Sequence, residues 1–329
     1  MNDNRLKIVA VDSSKAKESK RDYAGGKNRR LEAQVIYDHL WQTDPMHLSP
    51  LRNIMERTRL ERTHALVNSE LSLEGKRAVD LGCGNGIFAL RLAENGAQVD
   101  TVDISQKALQ LVKELKNEGL TPLHDYVPMT KLHDNSYDLV VCTELIAYLK
   151  QDEYRLLFSE LARIVKNDGF IVCSTALDIN SEGALERFAG LAETEIETLR
   201  WTISYHRCWI RIKELFEAPA RFVRASQDIE YKERELKSLK PLAQSWFRMN
   251  SQVPFVYFWS LLKFLLSPFL SFIKTNKAFL LRLERICKFF WGEAGISHAM
   301  LIGKRRPLFI ELPPNERPKE HKHKKQVWE

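Results

Sequence analysis

Short apolar segments alternate with segments of helical pattern between residues 77 and 176, and this alternation most constrains the fold. Polar turns at 134–136 and 167–169 separate some of them. The predicted strands are 77–82, 97–104, 121–127, 137–144 and 169–176, and the predicted helices between them are 86–95, 105–118 and 152–166. Strands joined by such helices form a parallel sheet with right-handed crossovers, and ligands bind at the carboxyl ends of its strands.

The segment AVDLGCGNGIFAL, residues 78–90, joins the first predicted strand to the first predicted helix through a glycine-rich loop. Asp80 precedes Gly82, Gly84 and Gly86, which are spaced as G-x-G-x-G. Glycines accept positive φ angles and let a ligand lie against the backbone. The spacing is neither that of a dinucleotide-binding G-x-G-x-x-G loop nor that of a P-loop. The loop is therefore predicted to hold a flat or polar ligand.

The composition is that of a folded protein with reduced thiols. Hydrophobic residues make up 44% of the 329-residue chain, which is enough for a large core. The five cysteines are scattered and form no C-x-x-C pair, which argues against a disulfide framework and against a zinc site. The first 20 residues contain no apolar run long enough for a signal peptide, so a cytoplasmic location is predicted.

Positive charge is concentrated in the C-terminal part. Residues 200–329 contain 25 Lys and Arg against 12 Asp and Glu, whereas residues 1–199 contain 25 against 31. An excess of basic residues is typical of proteins that contact a membrane surface or a nucleic acid. A merely solubilising surface is the alternative.

Four motifs, each at the end of a predicted strand, resemble those of the class I S-adenosylmethionine (SAM)-dependent methyltransferases. The glycine loop resembles their first motif, D-x-G-x-G-x-G, and VDTVDIS, SYDLVVCTELIAYL and LARIVKNDGFIVCST resemble segments that follow it. The similarity extends over about residues 50–176. It implies an α/β fold with a Rossmann-like, mostly parallel sheet of seven strands, and it implies SAM as the cofactor.

The resemblance also implies which residues bind the methionyl part of SAM. Gly82, Gly84 and Gly86 would approach it through their backbone amides. Asp80 would order the loop or hold the ammonium group, and Thr143 would line the pocket.

The nucleoside part of SAM is expected at the ends of the second and third predicted strands. Asp103 would accept hydrogen bonds from the ribose hydroxyl groups, with Ile104 next to it. Asp125 and Tyr126 would hold the adenine, through an acidic group and an apolar wall.

The segment DHLWQTDPMHLSPLRNIMERTRLE, residues 38–61, resembles the entry region of the ubiquinone-pathway O-methyltransferases. In that family an arginine at the start of the leading helix contributes to the SAM site, and Arg52 is its counterpart here. An exposed helix arginine without such a role is the alternative.

The sequence departs from that family at the end of the fourth predicted strand. The pattern Glu-x-x-Glu-His, which supports a divalent metal there, is replaced by Glu144, Ala147 and Tyr148. Too few ligands are left for a metal that takes about six, so no metal is predicted. Tyr148, His47, Glu144 and His39 are the candidates for acid–base catalysis. Methyl transfer mainly requires alignment and exclusion of water, so the reaction does not depend on finding a base.

The chain is predicted to divide into five parts. They are a flexible arm (1–30), a SAM-binding core with a leading helix at 50–72 (31–178), a helical insertion that forms a substrate cap or faces a membrane (179–296), the last core strand (297–304) and a basic disordered tail (305–329).

Residues 253–291 form the most apolar part of the predicted insertion. Residues 253–273 are long enough to span a membrane but include prolines and a lysine. Their polar residues fall on one helical stripe, and basic residues border a wide apolar face in 277–291. An interfacial helical hairpin, a cap over the substrate cleft and a spanning helix all fit this pattern.

The predicted function is SAM-dependent O-methylation of a hydrophobic, quinone- or lipid-like small molecule at or near a membrane surface, by a cytoplasmic or peripheral membrane enzyme. RNA or protein methylation through the basic C-terminal half is one alternative. TELI stands where nucleobase N-methyltransferases have N-x-P-[YFW], which disfavours nucleic acid. A non-catalytic SAM-binding scaffold at the membrane is the other alternative. The oligomeric state is left open.

Overall fold

A sheet of seven strands forms the centre of the protein in the computed structural model, which describes residues 26–177 and 183–307. The strands are β1 (Arg77–Leu81), β2 (Gln98–Asp103), β3 (Leu120–His124), β4 (Tyr137–Thr143), β5 (Val165–Ala176), β6 (Ile196–Ser204) and β7 (His298–Arg305). The helices before β6 are α1 (Gly26–Thr43), α2 (Pro45–Leu48), α3 (Ile54–Glu70), α4 (Ile87–Glu94), α5 (Gln106–Glu114), α6 (Glu153–Ile164) and α7 (Ala184–Ala192). Those after β6 are α8 (Arg207–Gln227), α9 (Ile229–Ser238), α10 (Pro241–Asn250), α11 (Val253–Thr275) and α12 (Lys277–Trp291), and 3₁₀ turns occupy Ile146–Tyr148 and Gly292–Gly295.

The strand order is β3-β2-β1-β4-β5-β7-β6, and only β7 runs antiparallel to its neighbours β5 and β6. This confirms the predicted Rossmann-like, mostly parallel sheet of seven strands. The chain leaves β1 towards β2 and β3 and later returns to the other side of β1 through β4. Such a switch point opens a crevice at the carboxyl ends of β1 and β4, where the glycine loop begins.

The two faces of the sheet are both covered, because successive side chains of a strand point to opposite sides. Val79 and Leu81 pack on the face covered by α6 and α7, and Ala78 packs on the face covered by α3, α4 and α5. In β4, Val140 likewise lies on the first face and Leu139 on the second. The apolar runs in the sequence follow from this double burial.

One strand lies where the sequence predicted only helix. Residues 196–204 of the predicted helical insertion form β6, the edge strand of the sheet. The prediction was wrong because an edge strand is covered on part of one side only, and its register with β7 is also broken between Thr198 and Arg200. Ile196 is buried in the core, and the partly buried Trp201 packs edge-on against Phe188.

Several predicted boundaries also shift. Residues 26–30 of the predicted arm are the start of α1, and residues 1–25 lie outside the described part of the chain. The third strand ends at His124, so Asp125 and Tyr126 stand in the loop after it. Arg305 ends β7 instead of opening the tail, and residues 308–329 lie outside the described part.

The helices of residues 207–291 are anchored on α3. Trp209, Ile273 and Leu280 form a buried cluster with Ile54 and Met55 at the start of α3. An ion pair buried beside this cluster joins α3 to α12: both guanidinium ends of Arg62 lie 2.6 Å from the carboxylate oxygens of Glu284. The insertion therefore docks on the helix that leads into the core.

Candidate active site

A cavity of about 250 Å³ lies at the carboxyl ends of the central strands. Its lining includes the glycine loop, the ends of β2 and β4, the loop after β3 and one side of α1. A second, smaller cavity of about 60 Å³ adjoins it. The two cavities share Arg59, Glu144, Ala147 and Tyr148, with Leu48 and Pro50, in their linings.

The glycine loop turns sharply after β1. Gly82, Gly84 and Gly86 all have positive φ angles, of 73°, 53° and 72°. A Cβ atom on Gly84 would lie 2.8 Å from Cζ2 of Trp41, whose indole packs directly on the loop. Gly84 therefore needs glycine both for its backbone angle and for this contact.

Asp103 at the end of β2 fixes the loop. Its Oδ2 accepts a hydrogen bond from the Gly84 amide (2.9 Å), and its Oδ1 accepts one from the Ser105 amide (2.8 Å). Burial raises the pKa of Asp103, and these two amides partly oppose the shift. Asp103 and Ile104 both line the first cavity, as does Thr143 at the end of β4.

Asp80 is fully buried at the end of β1 and lines the first cavity. Its Oδ1 has no hydrogen-bond partner among the described residues. Burial, together with the nearby carboxylate of Asp103, raises the pKa of Asp80 to about 7. A buried acceptor left without a donor is costly, so this oxygen is suited to a cationic or hydrogen-donating ligand.

Asp125 and Tyr126 separate in the loop after β3. The Asp125 carboxylate accepts hydrogen bonds from the amides of Tyr126 (2.8 Å) and Lys131 (2.6 Å), so it shapes the loop and does not line the cavity. The ring of Tyr126 lines the cavity, and its hydroxyl group donates to Glu153 Oε1 (3.1 Å).

Helix α1 covers the glycine loop from outside the sheet. Trp41 and Tyr37 line the first cavity, and Asp38 fastens the helix by accepting hydrogen bonds from the Ser105 hydroxyl (2.7 Å) and the Lys107 amide (3.0 Å). Tyr37 and Asp38 were not among the functional residues predicted from the sequence. Among the described residues that line either cavity, none comes from residues 207–291.

Comparison with known proteins agrees with this architecture. A family model described as a methyltransferase domain matches residues 79–173. A ubiquinone biosynthesis O-methyltransferase from Burkholderia vietnamiensis is 32% identical over 164 residues, which are 49% of this chain and 67% of that protein. One from Burkholderia multivorans is 30% identical over 192 residues, covering 57% and 77%. The chain belongs to the SAM-dependent methyltransferases.

This confirms the resemblance seen in the sequence, and with it SAM as the cofactor. Among solved structures, the N-methyltransferase NodS from Bradyrhizobium japonicum in complex with S-adenosylhomocysteine aligns with 53% of this methyltransferase and 87% of its own chain. The alignment has 17% identity and a TM-score of 0.41. The first cavity fits SAM: the unpartnered Asp80 oxygen suits an ammonium group, and the bare backbone at Gly84 admits close approach.

Arg52 and Arg59 differ in which cavities of the methyltransferase they line. Arg52 lines only the second one, donates to the carbonyl oxygen of His47 (2.8 Å) and pairs with Glu56 Oε1 (2.5 Å). Arg59 lines both, with Nε 3.1 Å from Glu56 Oε2 and Nη1 3.5 Å from Glu144 Oε1. Burial raises the pKa of Glu56, but the two guanidinium groups outweigh it and hold that pKa well below its usual range.

Glu144 directly follows β4 and adopts a positive φ of 61°, a strained conformation for a residue with a side chain. Its amide donates to the carbonyl oxygen of Ser174, and its Oε1 accepts from the Ser174 hydroxyl (2.9 Å). These bonds aim the carboxylate at the wall that the two cavities share.

The other acid–base candidates differ in which cavity they line. Tyr148 lines both cavities, and burial of its hydroxyl group raises its pKa. His47 lines the second cavity only. His39 is exposed on α1 and lines neither cavity. Gly86 also lies outside the lining, since it ends the loop as the residue before α4.

His298 is a buried group that the sequence did not single out as functional. It opens β7 and pairs across the sheet with Ala176 at the end of β5, and its Nδ1 lies 3.0 Å from Ser297 Oγ. Burial lowers its pKa, although Glu144 and Glu56 act in the opposite direction. The imidazole is therefore neutral at pH 7.

Proposed function

We propose that this methyltransferase transfers the methyl group of SAM to a hydroxyl oxygen of a hydrophobic, quinone- or lipid-like molecule at or near a membrane surface. The observation that carries the proposal is the pair of adjoining cavities, whose common wall bears Glu144 and Tyr148. A donor in the first cavity and an acceptor in the second would meet at this wall. The names of the relatives, ubiquinone biosynthesis O-methyltransferases, support an oxygen acceptor on a quinone-like ring.

In the first cavity, Asp80 would accept a hydrogen bond from the ammonium group of SAM, and the backbone of the glycine loop would face its methionyl part. Asp103 would accept from the ribose hydroxyl groups, because each carboxylate oxygen has a second lone pair beyond the one used by a backbone amide. Tyr126 and Ile104 would flank the adenine, and Thr143 would line the pocket.

We propose that Arg59, and not Arg52, contacts the carboxylate group of SAM. Arg59 is the arginine that lines the first cavity, whereas Arg52 faces the second cavity and is held by Glu56 and the His47 carbonyl group. Arg52 would then orient Glu56 and form part of the acceptor side. Asp125 and Gly86 would act through the backbone of their loops.

Bound SAM supplies an electrophilic methyl group on a sulfonium ion. The chain would align the acceptor hydroxyl group for in-line displacement and exclude water, with α1 covering the loop. As the oxygen–methyl bond forms and the sulfur–methyl bond breaks, the hydroxyl proton would pass to the Glu144 carboxylate and then to solvent. Tyr148 would border the acceptor, and His47 would lie behind it in the second cavity.

The test is to incubate the purified protein with methyl-labelled SAM and an extract, then separate lipid, RNA and protein fractions. Label in the lipid fraction, in an alkali-stable ether, is expected. Label in RNA or protein would overturn the proposal in favour of those acceptors. SAM binding without any transfer would favour a scaffold.

Glu144→Gln tests the assigned proton acceptor. The variant is expected to lower kcat by about a hundredfold or more while leaving the Kd of SAM within a small factor of the wild type. Tyr148→Phe is the matched variant on the same wall and should retain most of kcat. Equal losses in both variants would contradict the role given to Glu144.

A further inference from the structure

Helix α11 presents a broad apolar face to its surroundings. Seven large apolar side chains on it are between 49% and 76% exposed: Tyr257, Phe258, Leu261, Phe264, Leu265, Phe269 and Phe272. Within the described residues, α11 is the helix long and apolar enough to cross a membrane by length and composition, and only 6% of its most apolar stretch is buried. Contiguous apolar surface of this kind marks an interaction site.

The opposite side of α11 is already packed against α8. The two helices run antiparallel, since Trp209 Nε1 donates to the Ile273 carbonyl group (2.9 Å) at one end and the rings of Phe222 and Trp259 lie 4.7 Å apart at the other. Helical spacing places most of the seven exposed side chains on the side away from these contacts, and Phe269 lies at the edge, with its ring 6.5 Å from that of Phe216 on α8. The apolar face therefore points outwards, away from both cavities' walls and from the core.

The segment that forms α10–α12 carries mostly positive charge. Residues 241–291 contain seven Lys and Arg but a single acidic residue, Glu284, which is buried against Arg62. Lys274 and Lys277 pair with Glu217 and Glu61. The remaining basic residues have no ion pair within the described part of the chain: Arg248, Lys263, Arg282, Arg285 and Lys288.

We propose that α11 lies in the plane of an anionic membrane surface, with its seven exposed apolar side chains among the acyl chains and the unpaired basic residues of α10–α12 at the lipid phosphates. Apolar and aromatic side chains beside basic residues are what an interfacial helix requires. The membrane is the fitting occupant because the excess positive charge complements anionic headgroups.

An in-plane arrangement is favoured over a spanning one by the charges on α8. Glu217 on α8 pairs with Lys274 (2.7 Å) and with Lys213 (3.4 Å), and Arg221 pairs with Glu235. Because α8 runs alongside α11, a spanning α11 would draw these ionic groups into the hydrocarbon, at a cost of several kcal/mol. In the plane of the surface they stay on the aqueous side.

This arrangement would bring lipid close to the acceptor cavity. Ile273 and Leu280 at the hairpin contact Ile54 and Met55 of α3, and Arg59, one turn further along α3, lines both cavities. The width of one helix, about 10 Å, then separates the docked hairpin from the second cavity. This consequence rests on the proposed function, whereas the membrane contact itself does not.

Flotation of the full-length protein with vesicles tests the proposal. The wild type is expected to float with vesicles of phosphatidylcholine and phosphatidylglycerol, and Leu261→Asp/Phe264→Asp should weaken binding by about tenfold or more. Leu156→Asp, at a side chain of similar exposure on α6, is the matched control and should float like the wild type. Equal flotation of the double variant and the wild type, or no flotation of the wild type, would overturn the proposal.

Two further measurements test the role of the basic residues and the orientation of α11 in the membrane. Arg282→Glu/Arg285→Glu should reduce binding to the anionic vesicles by at least about tenfold and remove their advantage over pure phosphatidylcholine. Alkaline carbonate should release the bound protein, and retention after that wash would show a spanning helix and contradict the in-plane arrangement. SAM binding measured by calorimetry on each variant should be unchanged, so failure of membrane binding is distinguished from failure of the proposed enzyme activity.

Discussion

The proposed contact between Asp80 and the ammonium group of SAM should make cofactor binding depend on pH. Its pKa of about 7 means that half of the protein carries a neutral carboxyl group at that pH, and a cationic ammonium group binds better to the ionised form. The affinity for SAM should therefore rise with pH, and we expect binding at pH 6 to be about tenfold weaker than at pH 8. Calorimetric titrations at the two pH values measure this difference.

Asp80→Asn is the control for that prediction, because the ammonium group of SAM itself titrates near pH 8. The variant should bind SAM weakly at both pH values and lose most of the pH dependence below pH 8. Since the folded pKa of Asp80 is raised, its ionisation opposes folding as the pH rises from about 4 towards 7. The unliganded variant should thus have a higher Tm than the wild type at pH 8, and a tenfold pH effect surviving in it would contradict the assignment.

Alanine substitutions at Gly84 and Gly75 distinguish the effect of backbone strain from the effect of a clash with Trp41. Both have positive φ angles, but a Cβ atom on Gly75 would meet nothing within 4 Å, whereas one on Gly84 would strike the Trp41 ring. We expect Gly75→Ala to lower the free energy of unfolding by about 1–2 kcal/mol without changing the Kd of SAM. Gly84→Ala should also weaken SAM binding by about tenfold or more, because the loop must move.

Chemical denaturation and calorimetry on the two variants measure the two quantities. Similar Kd values for Gly84→Ala and the wild type would show that the contact between Trp41 and the loop does not position the cofactor.

Among the secondary-structure elements, α12 and α3 are joined by two ion pairs, one of which is buried and the other exposed. Arg62–Glu284 is largely buried, whereas Lys277–Glu61 is exposed. Glu284→Gln removes the only carboxylate paired with Arg62 among the described residues, although Arg62 Nη1 keeps its hydrogen bond to Ser204 Oγ (2.7 Å), and should lower the free energy of unfolding by about 3–5 kcal/mol. Glu61→Gln, the matched control, should cost about 0–1 kcal/mol.

Urea denaturation at neutral pH, with hydrogen exchange of α12, measures the difference. Burial raises the pKa of Glu284, but Arg62 and His206 outweigh it and hold the pKa well below the usual 4.5. The stabilisation by Glu284 is therefore present above pH 4.5 and is lost as the pH falls further, so the gap between wild type and variant should narrow in acid. Equal effects of the two substitutions would refute the anchoring role of the buried pair.

For the whole molecule, the helices that carry the outward apolar face dock on α3, which also lines the second cavity, so the proposed membrane binding and methyl transfer should be coupled. With a long-chain acceptor, adding anionic vesicles should lower the apparent KM by at least about tenfold, because enzyme and acceptor are concentrated on one surface. A short, water-soluble analogue of the same acceptor is the control, and its KM should not change. Equal effects on both acceptors would contradict the coupling.

The local features of the core follow directly from the amino-acid sequence. Strands buried on both faces give apolar runs, helices between them give a 3.6-residue period, and the acid and glycines at the first crossover mark the switch point. The resemblance of these motifs to those of SAM-dependent methyltransferases pointed to Asp80, Asp103, Ile104, Tyr126 and Thr143, and all of them line the first cavity. The confirmed SAM-dependent methyltransferase family follows from the same residues.

The tertiary structure alone decided features that depend on residues far apart in the chain. The pairing of His298 with Ala176 follows from β7 running antiparallel next to β5, and the way α3 meets the cavities puts Arg59 in the lining of both and Arg52 in that of the second only. The exposed side of α11 was undetermined in the sequence because a helix that is apolar almost all round does not indicate which side packs. Its contact with α8 settled that, since packing depends on the partner and not on the pattern.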